Sequence, residues 1–274
     1  MDAAALNMTT EIRGYGSFLF IHLPRERADR ELIDSLEAMG APLENMHAVD
    51  GSPSEAAAQG GRLQYLRVAS PVTEWDVPDA GMTGANILVR LEGRTRDPLA
   101  AYERQLRGLV ERRGGSVHTR AGISKERSYT SHAMTQFAYA HALPPRPGAA
   151  CPVGVVTPQN KTPEWWAMDW MRRESFFLPR YDERGKIVAQ GHALASAAGI
   201  PCITRRLVHH PDGYGLGNGY DFIGYFEFVE ADAPVFRTVM SGLRDREQNP
   251  EWNYVREGPE WWGRRVATVA ELWG

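Results

Sequence analysis

Residues 14–23, GYGSFLFIHL, form an apolar run that ends before Pro24 and predicts a strand. The next stretch, RERADRELIDSLEAMG, carries its apolar residues at helical spacing and predicts an amphipathic helix ending at Gly40. Residues 44–50 suit a short strand. Residues 51–84 mix Gly, Pro, Ser and Asp with one strand-like piece, LQYLRV, and read as an insertion. ANILVRLEG, 85–93, predicts a strand. Asp97–Pro98 then supplies an N-cap and a first-turn proline for a helix to about Arg113, and GSVHTRAGIS predicts another strand. Residues 124–150 are irregular and close on the breaker run LPPRPG.

The second half repeats the order. CPVGVVTP predicts a strand, and Thr162–Pro163 caps a helix holding Trp165, Trp166 and Trp170. A helical stretch is expected from Glu183 to Ala198, followed by strands at 201–210 and 220–229 and a helix at 231–248. A last strand, EWNYVRE, and a tail helix near 267–273 complete the chain. Strands and helices therefore alternate in a β-α-β-β-α-β-like order in each half. The expected fold class is α+β: two ferredoxin-like units, 1–150 and 151–274, with their sheets side by side.

Composition narrows the class further. The chain of 274 residues is 43% hydrophobic with a net charge of −3 and no basic run, which argues against nucleic acid. No apolar run reaches the roughly 18 residues of a membrane span, and the N-terminus lacks the pattern of a secretory signal. Cys151 and Cys202 make no metal or disulfide framework. The expectation is a cytoplasmic protein with a small-molecule substrate and neither nucleic acid nor membrane as partner.

Four glycines alternate in HHPDGYGLGNGYDF: Gly213, Gly215, Gly217 and Gly219. A dinucleotide loop would lead into a helix. Here the following residues read as a second strand, so a turn between antiparallel strands is the expectation. His209 and His210 beside it point to opposite faces and are poor metal candidates.

The candidates for chemistry stand among apolar residues. His192 shares a helix face with Val188 and Ala195, and is either a satisfied core histidine or a ligand. Glu247 ends the stripe Phe236, Met240, Leu243, where it either needs a buried partner or leans into solvent. Arg205 alternates with Ile203 and Leu207, which points to a cation on an apolar strand face or a snorkelling edge residue. Trp165 and Trp166 are adjacent on a helix, so one can enter a core while the other lines a cavity.

Three segments, NKTPEWWAMD, GYGLGNGYDFIGYFEF and LRDREQNPEWNYVREGPEWWG, resemble in order and spacing the C-terminal half of the chlorite dismutase family. Those haem proteins carry a K-x-x-EWW stretch, a GLDD-x-DF-x-x-YFE turn and strand, and an L-x-x-x-KEN helix end. The N-terminal half is similar more weakly. The resemblance implies a dimeric α+β barrel architecture with haem b. It places His192 on the haem-ligand histidine, Glu247 on its carboxylate partner and Arg205 on the distal arginine. It also places Trp165 and Trp166 beside the haem, and Lys161 and Tyr129 on the propionates. It implies a homo-oligomer, by analogy with longer relatives a pentamer.

The chain departs from the pattern in several places. Extra residues around PRYDERGKIVA precede His192, and another placement of that gap brings Arg180 or Tyr181 to the ligand position. The glycine turn reads GLGNGYDF instead of GLDD. Thr157 stands where coproheme decarboxylases of the superfamily carry a tyrosine, which disfavours that reaction. The resemblance thus implies a haem-dependent oxidoreductase that decomposes chlorite or a similar small oxidant. The alternative is a biosynthetic enzyme acting on an organic N-oxygenated or amine substrate, like the aldoxime dehydratases, with His118 and His132 as candidate acid–base groups. A haem carrier and a cofactor-free barrel complete the field.

Overall fold

The computed structural model describes residue 12 and residues 14–45, 61–125 and 151–274. Tyr129 and His132 lie outside these residues, as does the segment before the expected boundary at 150.

Strand β1 (Gly14–His22) is the centre of the first unit. It is followed by α1 (Arg30–Gly40), the short β2 (Glu44–Asn45), β3 (Arg62–Val68), α2 (Ala80–Thr83), β4 (Ile87–Gly93), α3 (Asp97–Glu111) and β5 (Ser116–Ser124). The spatial order is β5-β1-β4-β3, all antiparallel. The second unit holds β6 (Val153–Lys161), α4 (Pro163–Ala167), α5 (Trp170–Ser175), the hairpin β7 (Arg180–Tyr181) and β8 (Ile187–Ala189), and α6 (Gly191–Ala195). It continues with β9 (Thr204–His209), β10 (Phe222–Phe228), α7 (Ala233–Arg244), β11 (Val255–Glu257) and β12 (Trp261–Arg265). Its order, β9-β10-β6-β12, is that of the first unit read in reverse.

Two seams join the units: β12 pairs with β3, and β9 with β5. Of ten strands in the sheet, β2 and β11 pair along one side only, and the other eight close into a barrel. The alternation within β1 explains the closure. Phe18 and Phe20 point inward, into a cluster with Leu66, Leu88, Val156 and Trp261. Leu19 and Ile21 point outward, into a layer with Leu32 and Leu36 of α1 and Leu106 of α3. A strand buried on both faces reads as a continuous apolar run, as 14–23 does.

The barrel interior is polar at one end. Arg90 donates to Gln64 Oε1 (2.7 Å) and pairs with Glu92, while Gln64 Nε2 donates to Glu227 Oε1 (2.5 Å). Tyr225 OH also donates to Glu227 Oε1 at 2.9 Å. A buried guanidinium persists only with such partners.

Several expectations need correction. LQYLRV is not part of an insertion: it is β3, the strand through which the first unit meets the second. The helix expected from Glu183 to Ala198 is a hairpin followed by one helical turn and a 3-10 turn. Asp182 Oδ1 accepts from the backbone N–H groups of Arg184 and Lys186, and Gly185 takes φ +75°, so this stretch turns tightly. EWNYVRE is mostly a 3-10 turn, and the closing barrel strand is Trp261–Arg265.

The two cysteines differ in environment. Cys151 is buried, which pushes its thiol up to about 12, and Cys202 is half-buried. Only a thiolate attacks readily. Native protein at pH 8 should therefore lose one thiol, Cys202, to an alkylating reagent, and expose Cys151 only in denaturant. Mass spectrometry showing both labelled at equal rates would contradict this burial.

Candidate functional site

The outer layers of the two units differ. In the first, leucines of α1 and α3 fill the space above the sheet. In the second, the layer between the sheet and α6–α7 encloses a cavity of about 710 Å³, counting its open mouth.

One wall carries His192. Gly191 opens the turn with φ +63°, a conformation glycine adopts without strain, and its N–H donates to Gln248 O at 3.0 Å. The next two N–H groups donate to Phe176 O (3.2 Å) and Phe177 O (3.0 Å). His192 is thereby fixed with its Nδ1 2.7 Å from Glu251 Oε2. The other oxygen of Glu251 accepts from Lys161 Nζ at 2.5 Å. All three side chains are buried, with Lys161 2% exposed. Burial alone would raise the Glu251 carboxyl. Lys161 and His192 outweigh it and hold the carboxyl well below the ordinary carboxylate range.

A Cβ on Gly191 would lie 2.4 Å from Leu178 O. Gly191→Ala should therefore lower the unfolding free energy by about 1–3 kcal/mol, measured by urea denaturation. An unchanged midpoint would show that this turn does not depend on glycine.

The facing wall is the sheet. Arg205 pairs in register with Phe226, Leu207 with Gly224 and His209 with Phe222. Across β10, Gly224 also faces Thr157 and Phe222 faces Gln159. Arg205, Thr157 and Gln159 all line the cavity, with Leu207, Phe222 and Phe226 between them. Gly224 leaves room for its neighbours on this wall, since a Cβ there would come within 2.9 Å of Thr157 Oγ1 and 3.1 Å of the Phe226 ring. Arg206 points the other way, into the barrel, with Nε 3.8 Å from Glu92 Oε1.

Glu247 is corrected by this geometry. The helix ends at Arg244, Asp245 turns extended, and Glu247 sits exposed on a turn that Asp245 caps. Four residues later a 3-10 turn, Pro250–Tyr254, directs Glu251 inward. The apolar stripe ends with the helix at Arg244 and does not reach Glu247. The usable signal was Pro250, which stops a helix and starts a new turn. Lys161 lines the cavity, pairs with Glu251, and holds its Nζ 4.3 Å from the Trp165 ring centre.

The tryptophans diverge. Trp165 is fully buried among Phe176, Phe177 and Tyr254. Trp166 is half-buried, stacks on Tyr214 and Phe222, and donates from Nε1 to Asp221 Oδ2 at 3.2 Å. Neither is among the cavity-lining residues, although each touches one that is. Asp221 also accepts from the backbone of Lys161 (2.8 Å) and of Gly215 (2.5 Å) and ties the glycine turn to β6. The turn joins β9 to β10, and all four of its alternating glycines have positive φ. Tyr181 is 57% exposed on the hairpin with Arg180, away from the cavity lining. His118 sits beside His22 and Gly81 at an end of the barrel interior and does not line the cavity.

Searches of protein-family models and of curated protein sequences find no match. Solved structures do match along the whole chain. A variant of chlorite dismutase from Candidatus Nitrospira defluvii superposes with TM-score 0.64 at 18% identity, over 99% of this chain and 98% of that one. The same enzyme in complex with imidazole gives TM-score 0.64 at 19% identity, over 98% of each chain. The chain has the chlorite dismutase fold. A barrel of two ferredoxin-like units is therefore its architecture, and the cavity described above lies in the second of them. No helix among the described residues is long and apolar enough to cross a membrane.

Proposed function

We propose that the chain is a haem b-dependent enzyme of the chlorite dismutase type, with His192 as the iron ligand and Arg205 as the residue that receives a small anionic oxidant. The observation that carries this reading is the buried chain Lys161–Glu251–His192 at one wall of a cavity whose other wall presents Arg205. The donor set suits the cofactor. A ligating imidazole needs its second ring nitrogen held by an acceptor, and Glu251 does this at Nδ1, so iron would bind at Nε2. The apolar lining, with Ile203, Leu207, Phe222 and Phe226, suits a flat macrocycle.

Bound haem would supply an iron centre able to take an oxygen atom from a small oxyanion. The protein's residues act around it. Glu251 orients the imidazole and raises its basicity, and Lys161 keeps Glu251 ionised. Arg205, in a partly dehydrated cavity, would hold an incoming anion and the oxyanion that leaves it. Leu207, Ile203 and Phe226 keep water from competing. In support, the matched enzyme has also been seen, as a variant, with cyanide, a small anion.

The test is a haemin titration followed by absorption spectroscopy, with His192→Ala alongside. A saturable Soret band, shifted or lost in the variant, is expected. Oxygen release from chlorite then supports oxidant decomposition, while turnover of an aldoxime instead would move the assignment to the organic-substrate class. No Soret band in the wild type sinks the haem reading.

A further inference from the structure

The glycine turn holds a second group of residues suited to redox chemistry. Tyr214 OH lies 3.0 Å from His209 Nδ1, with the two rings edge-on at 5.4 Å. His209 is 2% exposed, and its backbone is locked in the β9–β10 ladder opposite Phe222. Tyr214 is half-buried and is set between Gly213 and Gly215, both at positive φ. Its ring lies flat on Trp166, with centroids 4.7 Å apart and planes 6° from parallel. Phe222 packs against Tyr214, Trp166 and His209 alike, and it lines the cavity. A stack of aromatic rings thus runs from the cavity wall to an exposed turn, with a hydrogen-bonded base at the phenol.

We propose that Tyr214 and His209 form a redox-active pair that takes oxidising equivalents out of the cavity. A phenol that loses an electron becomes a strong acid, so oxidation at moderate potential requires a base already in hydrogen-bond contact. His209 is that base. One electron leaves Tyr214, by way of Trp166, for a peroxide being reduced in the cavity; two such one-electron steps and two solvent protons break the O–O bond of hydrogen peroxide and give two waters. The phenol proton moves to His209 Nδ1, leaving a neutral tyrosyl radical beside an imidazolium. When a reductant in solution returns an electron to Tyr214, the proton moves back, and no atom is gained or lost. The step needs His209 in the tautomer with Nδ1 unprotonated, which is the tautomer that accepts from Tyr214. The four glycines acquire a purpose in this account. They allow the turn to fold back so that Tyr214 lies on Trp166, and a Cβ at Gly215 would come within 2.8 Å of that indole.

The source of the oxidant rests on the haem reading above, but the pair itself does not. It is therefore tested on the purified chain without haemin. A photo-oxidised ruthenium polypyridyl complex serves as the one-electron oxidant, and the radicals are trapped by freezing and read by electron paramagnetic resonance. The chain has ten tyrosines, so the comparison is between variants. The wild type should give a strong tyrosyl signal, and Tyr214→Phe should lose most of it and show a tryptophan radical instead. His209→Gln keeps a hydrogen-bonding side chain but removes the base, and should slow formation of the tyrosyl about 10²-fold, the low end for losing a positioned proton acceptor. Near-UV circular dichroism establishes that each variant is folded. A tyrosyl signal unchanged in Tyr214→Phe, or formed at the wild-type rate in His209→Gln, overturns the proposal. A chain that binds no haemin yet passes this test would refute the haem reading and leave the pair standing.

Discussion

Glu251→Gln should cost about 3–5 kcal/mol of folding free energy, the usual penalty for removing one partner of a buried ion pair. The substitution is nearly isosteric, so the loss is electrostatic and not a cavity effect. It removes the Glu251 charge from beside the Lys161 ammonium, which is 2% exposed. It also removes the acceptor at His192 Nδ1. The double variant Glu251→Gln, Lys161→Met should recover much of the loss, since no buried charge then remains unpaired. Glu247→Gln, on the exposed turn, should change stability by less than about 0.5 kcal/mol. Urea denaturation of the four proteins is the measurement. If the two single glutamate variants lose the same amount, the assignment of Glu251 is wrong.

Acid titration gives an independent check on the same group. The Glu251 carboxyl is depressed in the folded state. Its contribution is therefore fully present above the unfolded value, about 4.3, and is lost as pH falls through the lower folded value. Glu251→Gln cannot show this acid-side loss. The difference in stability between wild type and variant should shrink below about pH 4. A difference that stays constant down to acid would argue that the carboxylate is not paired.

Arg205→Ala should lower turnover of a small anionic oxidant by about 10²–10³-fold, the usual cost of removing one oxyanion-stabilising donor. Haemin binding should persist, because His192 and Glu251 stand on the other wall. Arg206→Ala is the control. It is the next residue on β9, but its side chain enters the barrel beside Glu92. It should reduce stability through the interior network and leave turnover within a few-fold of wild type. Steady-state oxygen release and a denaturation curve on both variants decide the matter. Retained turnover in Arg205→Ala, or a comparable fall in Arg206→Ala, would show that the face assignment carries no functional meaning.

Much of the local geometry is legible in the amino-acid order. The period of two in CITRRLVHH placed Arg205 and Arg206 on opposite faces, and β9 keeps them there. The apolar run at 14–23 signals a strand, and the alternate glycines signal a turn between strands. These signals are local: they depend on backbone geometry and on side-chain periodicity within one element. The partner of His192 was not local. It lies 59 residues away, and the stripe that suggested Glu247 was read past the point where Asp245 leaves the helix.

Strand β3 shows the same limit from the other side. LQYLRV carries a strand pattern, but it is flanked by Gly, Pro and Ser, and only its pairing with β4 and β12 makes it part of the barrel. The composition, the alternating βα order and the faces of individual strands and helices follow from the amino-acid order, because each is set by neighbours within a few residues. Barrel closure, the cavity between the second unit's sheet and α6–α7, and the triad of Lys161, Glu251 and His192 come from contacts between distant segments. Their energies depend on which side chains happen to meet once the sheet has curved, and no short stretch of the chain contains that information.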